Sequence, residues 1–346
     1  METKRNTQLD GWRAFAVLGV MWVHWAPRAW RGSLPFEIGL YFFLTLTGFF
    51  VTRLILREQM TDRAGVFARF IRRRALRILV PCFAAFGFAW LVGAPDLRAH
   101  PWWYVCQLAN FHIAHLPEWP SGTSHYWTLA IQSQIYLLWP IVLLVLPRKA
   151  LPAACLITTA AAPASRAILL HHFPEISQPG AITTCTLDYL GLGGLLALGF
   201  SAGMKADDRR LRFGAWFAAV IWAVLYVFDE SGRPLPMVRH FQQTFLTVAM
   251  CGLISASMAG LPGWISGILE HRFTQHFAKI SYSLYLFHSL IPLALGFLLP
   301  FLWGLPEGHA AGALRILGFF LGSWGIAWLS WRWIEQPVDR WRNRAS

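Results

Sequence analysis

Charge is scarce in this sequence, and acidic charge scarcest: 17 Asp and Glu stand against 30 Lys and Arg, and all four types together make up 14% of 346 residues. Soluble domains average about 25% charged residues. That deficit, with 56% hydrophobic residues, 19 Trp and a mean hydropathy of +0.44, excludes a single soluble globule and implies a polytopic membrane protein. Cysteine is sparse as well. Cys82, Cys106, Cys155, Cys185 and Cys251 are odd in number, scattered, and never paired as CxxC, so they read as packing residues rather than a disulfide framework or zinc site. No GxSxG elbow, HExxH motif, Walker loop or carboxylate pair stands in a suitable context. Large soluble domains, repeats and low-complexity tails are absent too. The net charge of +13 does not point to nucleic acid, because the basic residues sit in short stretches between apolar runs and not on a solvated face.

What the sequence does have is bilayer-length apolar runs edged by Trp and Tyr, at about 9–27, 36–56, 78–94, 127–147, 151–170, 183–203, 212–228, 241–262, 280–302 and 313–334. They predict an all-α bundle of about ten transmembrane helices, forming one domain over residues 1–346 with no appended soluble domain. A cleaved signal peptide is not expected, because Arg13 interrupts the first apolar run and a second run follows almost at once. Lys and Arg alternate strongly between successive loops. Lys4, Arg5, the 53–77 stretch, Arg148, Lys149, the 204–213 stretch, Arg272, Lys279 and the tail hold 22 of the 30. By the positive-inside rule both termini are cytoplasmic.

Ionisable residues inside the spans are the next signal, since a membrane interior penalises them. The first run, LDGWRAFAVLGVMWVHW, carries Arg13 and His24 eleven residues apart. On a helix that is three turns, so both face one way at about 16 Å separation. A snorkelling Arg with a hydrogen-bonded core His, and a functional pair, both fit this placement. RFIRRRALR at 69–77 is the densest charge, with Arg74 and Arg77 at i, i+3 and Arg73 and Arg77 at i, i+4. Guanidinium forks suit phosphate, whether on a ligand or on lipid headgroups. KISYSLYLFHSLIP places Ser281, Tyr285, His288 and Pro292 on one stripe, directing a second intramembrane histidine at the bundle interior. Glu335, in WRWIEQP, stands where a loop arginine could pair with it.

Two segments attract weaker readings. Pro95 to Tyr126 is too polar and Pro-rich to cross cleanly, and predicts an outward loop with a short interfacial or re-entrant element. Its His112 and His115 lie one helical turn apart, but no carboxylate or Cys adjoins them, so no metal is expected. GLGGLLALGF at 191–200 resembles a phosphate-cradling loop but has no preceding strand. Gly193 and Ala197 instead suit close helix approach.

Taken together these pieces resemble the acyltransferase 3 family, bacterial multi-spanning O-acyltransferases of glycans and related acceptors. LDGWR with VHW supplies Asp10, Arg13 and His24; GLYFFLTLTGF matches the second-span pattern; RRALRI supplies Arg73, Arg74 and Arg77. YWTLAIQSQIYLLWP corresponds to the fourth-span pattern, SYSLYLFH to the late one, and EQP to the closing E-x-P, so the likeness runs through nearly the whole chain in order. Where the family often has paired glutamates this chain has Gln132 and Ser133, and where it has an aspartate in the second span this chain has Tyr41. An amide keeps hydrogen-bond geometry but does not titrate.

The resemblance implies an O-acyltransferase that takes an acyl group, usually acetyl, from cytoplasmic acyl-CoA and passes it to a hydroxyl of a surface or exported glycan. Arg73, Arg74 and Arg77 would hold CoA phosphates. His24 would act as general base, an unperturbed imidazole near pKa 6.5 suiting the role, with Arg13, Tyr136 and His288 beside it in catalysis. Asp10, Trp127, Gln132, Tyr282 and Tyr285 would contact substrate. The expected setting is the bacterial cytoplasmic membrane, with acyl-CoA, a glycan or lipid-linked sugar and the lipid bilayer as partners, and no metal or nucleic acid. Two other readings stand beside it: a non-catalytic carrier or flippase of the same fold, which discontinuous helices would favour, and another acyltransferase class relying on His288 alone.

Overall fold

A computed structural model describes residues 6–58, 62–233, 235–298 and 308–344, and all regular structure among them is helical. Lys4, Arg5 and the end of the expected 280–302 span lie outside the described residues. The first helix, α1 (Thr7–Trp25), starts where the Asn6 side chain accepts from Leu9 N–H, and stops at Ala26, which precedes Pro27 and is extended. A single turn, α2 (Arg28–Arg31), leads to α3 (Ile38–Arg57).

The next helix corrects one expectation. α4 (Arg63–Leu91) begins fifteen residues before the apolar run at 78, capped by Asp62, so the arginine cluster rides on helix and not in a loop. Val66, Phe70 and Ile78 recur at helical spacing and are buried, while Arg72, Arg73 and Arg77 face out. One buried stripe therefore extends the helix beyond its membrane-length part.

Three short helices, α5 (Pro95–Ala99), α6 (Pro101–Val105) and α7 (Ala109–Ala114), make up the predicted interfacial loop. The chain continues through α8 (Tyr126–Val145), α9 (Leu151–His172), α10 (Leu187–Ser201), α11 (Arg209–Glu230), the turn α12 (Pro236–Arg239), α13 (Gln242–Ala259), α14 (Gly263–Leu269), α15 (Arg272–Phe287), α16 (Ile291–Leu298) and α17 (His309–Ser330). A π-helical turn at Trp331–Glu335 then passes into α18 (Gln336–Arg344).

Each of the ten apolar runs carries a helix, but fewer qualify as spans. Six described helices are long and apolar enough to cross a bilayer, or eight if the bent pairs α13–α14 and α15–α16, at 96° and 68°, are each one span. Polar Gln8, Asp10, Arg13 and His24 lower the hydropathy of α1, and α10 has 15 residues. α11 displays what a lipid-facing helix requires: Phe213, Trp216, Phe217, Val220, Val224 and Val227 form an exposed apolar stripe that water would not tolerate. The protein is a multi-pass membrane protein.

Two devices hold the bundle. The first is glycine-mediated contact between α10 and its neighbours α3 and α9. A Cβ on Gly48 would come within 2.8 Å of the Tyr189 and Leu190 carbonyls, and one on Gly193 within 2.6 Å of the Thr45 carbonyl. Backbones therefore touch, as the small-residue spacing on α10 predicts.

The second is a buried ion pair joining α9, α10 and α13. Arg166 spends all five of its N–H donors: Nε on His240 O at 2.8 Å, Nη1 on Cys185 O at 2.6 Å and Gln243 Oε1 at 2.8 Å, Nη2 on Asp188 Oδ2 at 2.9 Å and Thr244 Oγ1 at 3.1 Å. Asp188 is fully buried and also accepts from Thr244 Oγ1 and Tyr189 N–H. Removing one partner strands the other charge in a medium that cannot solvate it, at about 3–5 kcal/mol. Arg166→Met and Asp188→Asn are each expected to lower the melting temperature of the detergent-solubilised protein sharply. The double variant Arg166→Met/Asp188→Leu is expected to melt above either, which thermal size-exclusion measurements would check.

Candidate functional site

α1 and α15 run side by side in the same direction. Near one end of their seam Arg13 pairs with Asp10 at 3.1 Å and donates to Ser281 Oγ at 3.2 Å. Near the other end, in the last turn of α1, His24 meets His288, with ring centroids 4.9 Å apart. Arg13 and His24 thus share a helix face as their spacing predicts, but they serve opposite ends of the seam.

The histidine end is built by a broken helix. Pro292, on the second residue of α16, has no N–H to give to the His288 carbonyl four residues back, so α15 ends at Phe287 and the chain bends. Carbonyls released by the break cannot be left bare inside a membrane protein. Trp25 Nε1 donates to His288 O at 3.2 Å. Leu290 N–H turns to Phe287 O, and Leu286 O receives His125 Nε2 at 3.2 Å and the Tyr126 hydroxyl at 3.0 Å. His288 Nδ1 bonds to Tyr285 O at 2.8 Å.

These partners assign the ring protons, because a carbonyl only accepts. His288 must carry its hydrogen on Nδ1 and His125 on Nε2. His288 Nε2 and His125 Nδ1 then present lone pairs, and both atoms are buried without a hydrogen-bond partner among the described residues. The three rings form a cluster: His125 lies 4.7 Å from His288 and 6.2 Å from His24, centroid to centroid. His125 and His288 are buried at 2% and 0% exposure, whereas His24 is exposed, with Ser289 Oγ 3.4 Å from its Nδ1. Tyr285 completes the wall, its hydroxyl donating to His125 O at 3.1 Å and paired with Thr128 Oγ1. An exposed imidazole backed by two buried imidazoles, each with one ring nitrogen on a carbonyl, can take a proton from an incoming hydroxyl.

A second cluster lies toward the start of α4. Arg69, Arg73, Arg74 and Arg77 line a groove with Phe70 and Glu58. The Arg74 guanidinium lies over the rings of Phe70 and Tyr136, at 5.7 and 5.4 Å. Tyr136 therefore belongs with the arginines and not with His288. Tyr282 also faces away from the histidines, its hydroxyl donating to Ile78 O at 2.8 Å and pinning α15 to α4 next to Arg77. Glu335 accepts from Ser283 Oγ.

The fourth-span residues have local structural partners. Ser133 Oγ donates to Gln107 Oε1 at 2.9 Å, and Gln134 bonds to Asn110 Oδ1 at 2.9 Å, so this face of α8 anchors the short-helix loop. Gln132 is half-buried, and Trp127 stands 6.3 Å from Trp119. The residue missed from sequence is His125. Its place immediately before the YWTL motif is its one sequence signal, and that does not show which groups it meets.

A multi-pass α-bundle carrying a histidine cluster at one end of a two-helix seam and an arginine groove toward the other is the class that fold and site define. The family described as "Acyltransferase domain" matches residues 6–332, and the chain belongs to that acyltransferase 3 family. It is similar to the O-acetyltransferase OatA of Staphylococcus aureus (strain NCTC 8325 / PS 47), at 28% identity over 152 residues, 39% of this chain and 24% of OatA. It is also similar to SACOL0978 of S. aureus strain COL, whose name assigns it provisionally as an O-acetyltransferase, at 24% identity over 315 residues, 82% of this chain and 50% of that protein. The chain therefore spans no more than about half the length of these relatives. No solved structure matches it.

The burial contrast gives a direct check. Diethylpyrocarbonate is expected to modify His24 in the folded protein while sparing His125 and His288, with all three reacting after denaturation, as peptide mass spectrometry would read.

Proposed function

We propose that this chain is an integral membrane O-acyltransferase that moves an acyl group, most simply acetyl, from cytoplasmic acyl-CoA to a hydroxyl of a surface or exported glycan. The observation that carries this reading is the pairing of an exposed His24 with two buried, tautomer-fixed imidazoles. His24 takes the acceptor proton at Nε2 while Ser289 steadies Nδ1; the acceptor oxygen attacks the thioester carbonyl; the C–S bond breaks and the CoA thiolate leaves, to be protonated in turn. His288 and His125, neutral and close, disperse the charge that His24 gains.

Arg73, Arg74 and Arg77 bind the CoA phosphates, with Arg74 over the Phe70 and Tyr136 rings so that less side-chain entropy is lost on binding. Arg13, about three turns along the α1–α15 seam from His24, supplies positive charge for a donor phosphate at that end. Direct transfer fits better than a covalent serine intermediate, since the hydroxyls at the cluster, Ser289 and Thr128, serve as hydrogen-bond partners. The Lys and Arg alternation supports cytoplasmic termini and a cytoplasmic arginine groove, in a bacterial inner membrane. In this reading Gln132 and Ser133 orient groups by hydrogen bonding and titrate nothing, and catalysis draws its ionisable groups from the histidines.

One observation favours a second reading. The 68° break between α15 and α16 falls at His288, and broken helices of this kind also build carrier sites. Membranes bearing wild type, His24→Ala and Arg74→Ala, incubated with radiolabelled acetyl-CoA and acceptor, separate the two. Label is expected in the envelope glycan fraction of wild type, about 10²–10⁴-fold less with His24→Ala, and with Arg74→Ala a raised KM for acetyl-CoA. Absence of label with folded wild type would overturn the acyl-transfer reading in favour of the carrier, whereas full activity in His24→Ala would overturn the general-base role of His24.

A further inference from the structure

The short-helix loop at the other end of α4 from the arginines holds a second constellation. Pro95 starts α5 and places Asp96 and His100 one turn apart. Gln107, with a left-handed φ of 58°, turns the chain so that α7 folds back and brings His112 against both. We infer that Asp96, His100 and His112 form a binding site for a divalent transition-metal ion of the Zn²⁺ class.

Their donor atoms all lie within 4.8 Å of one another, and His112 Nε2 is 3.0 Å from Asp96 Oδ1. Ligands about 2.0–2.1 Å from a tetrahedral zinc ion stand about 3.4 Å apart. His112 and Asp96, hydrogen-bonded to each other, are within about 0.4 Å of that spacing, and the exposed His100 ring needs a shift of at most about 1.4 Å to join them. Two imidazoles with one carboxylate are a borderline-soft donor set that suits zinc over magnesium or calcium, which want oxygen.

The supporting groups are those a metal site needs. Asp96 and His112 have side chains 15% and 12% exposed, so little water competes for them. The Tyr104 hydroxyl, itself buried, donates to the second Asp96 oxygen and lies 3.1 Å from Thr123 Oγ1. Trp103 stacks on His112 at 5.6 Å and 15°, fixing the ring plane. Outer contacts of this kind orient metal ligands. His115, the sequence neighbour that first suggests a pair with His112, does not belong to this donor group, and its Nδ1 bonds to Phe111 O at 2.8 Å. The ion would tie α5 to α7 across the segment that leads into His125.

The full chain, purified without a polyhistidine tag and stripped with EDTA, should be titrated with Zn²⁺ by calorimetry and with Co²⁺ by visible absorption. Wild type and His115→Ala are expected to bind one equivalent, to show tetrahedral Co²⁺ bands and to gain thermal stability with Zn²⁺. His100→Ala, altered at an exposed side chain and so expected to fold, should bind at least about tenfold more weakly and lose the thermal gain. No saturable binding by wild type, or equal binding by His100→Ala, would overturn the site.

Discussion

Everything distinctive about the histidine end follows from one missing hydrogen. Pro292 cannot donate to the His288 carbonyl, and within a lipid-embedded bundle the carbonyls freed around that break must be met by other protein groups. Trp25 from α1, and His125 and Tyr126 from the start of α8, meet them. These bonds draw three helices together, and the carbonyls near the break dictate which nitrogen of His125 and of His288 carries a proton. Fold and chemistry are not separate achievements here, since the repair of the broken helix is the construction of the site.

Polar groups elsewhere divide by how completely they are answered. Arg166 has every N–H donor matched at 2.6–3.1 Å, which marks it as structural despite lying within a span. Arg73 and Arg77 remain outward beside Arg74 on its aromatic platform, which leaves cationic surface facing a groove. The buried nitrogens of His125 and His288 lie between these cases, enclosed yet unmatched. Intramembrane charge alone signals function weakly, and the count of satisfied donors discriminates far better.

Periodicity and apolar length revealed all the major helices, because burial in lipid or protein imposes a regular local pattern on residues such as Val66, Phe70 and Ile78. The number of true spans was less legible. Whether α15 and α16 form one crossing depends on a bend at His288 that apolar content does not encode, although Pro292 hints at it. The Arg13–His24 face and the Gly193 contact were readable from spacing within one helix. His125 was not, because its importance comes from a carbonyl at Leu286, 161 residues away. The His112–Asp96 pair was equally hidden: sixteen residues and a left-handed turn at Gln107 intervene, and the eye pairs His112 with His115 instead.

The brevity of α10 has a consequence beyond packing. Its 15 residues rise about 22 Å, against a hydrocarbon core of about 30 Å. At its start the Arg166–Asp188 network brings polar groups down to the first turn of the helix. A helix shorter than the hydrocarbon core is a hydrophobic mismatch, and the polar residues at its start are matched within the protein instead of being left to lipid.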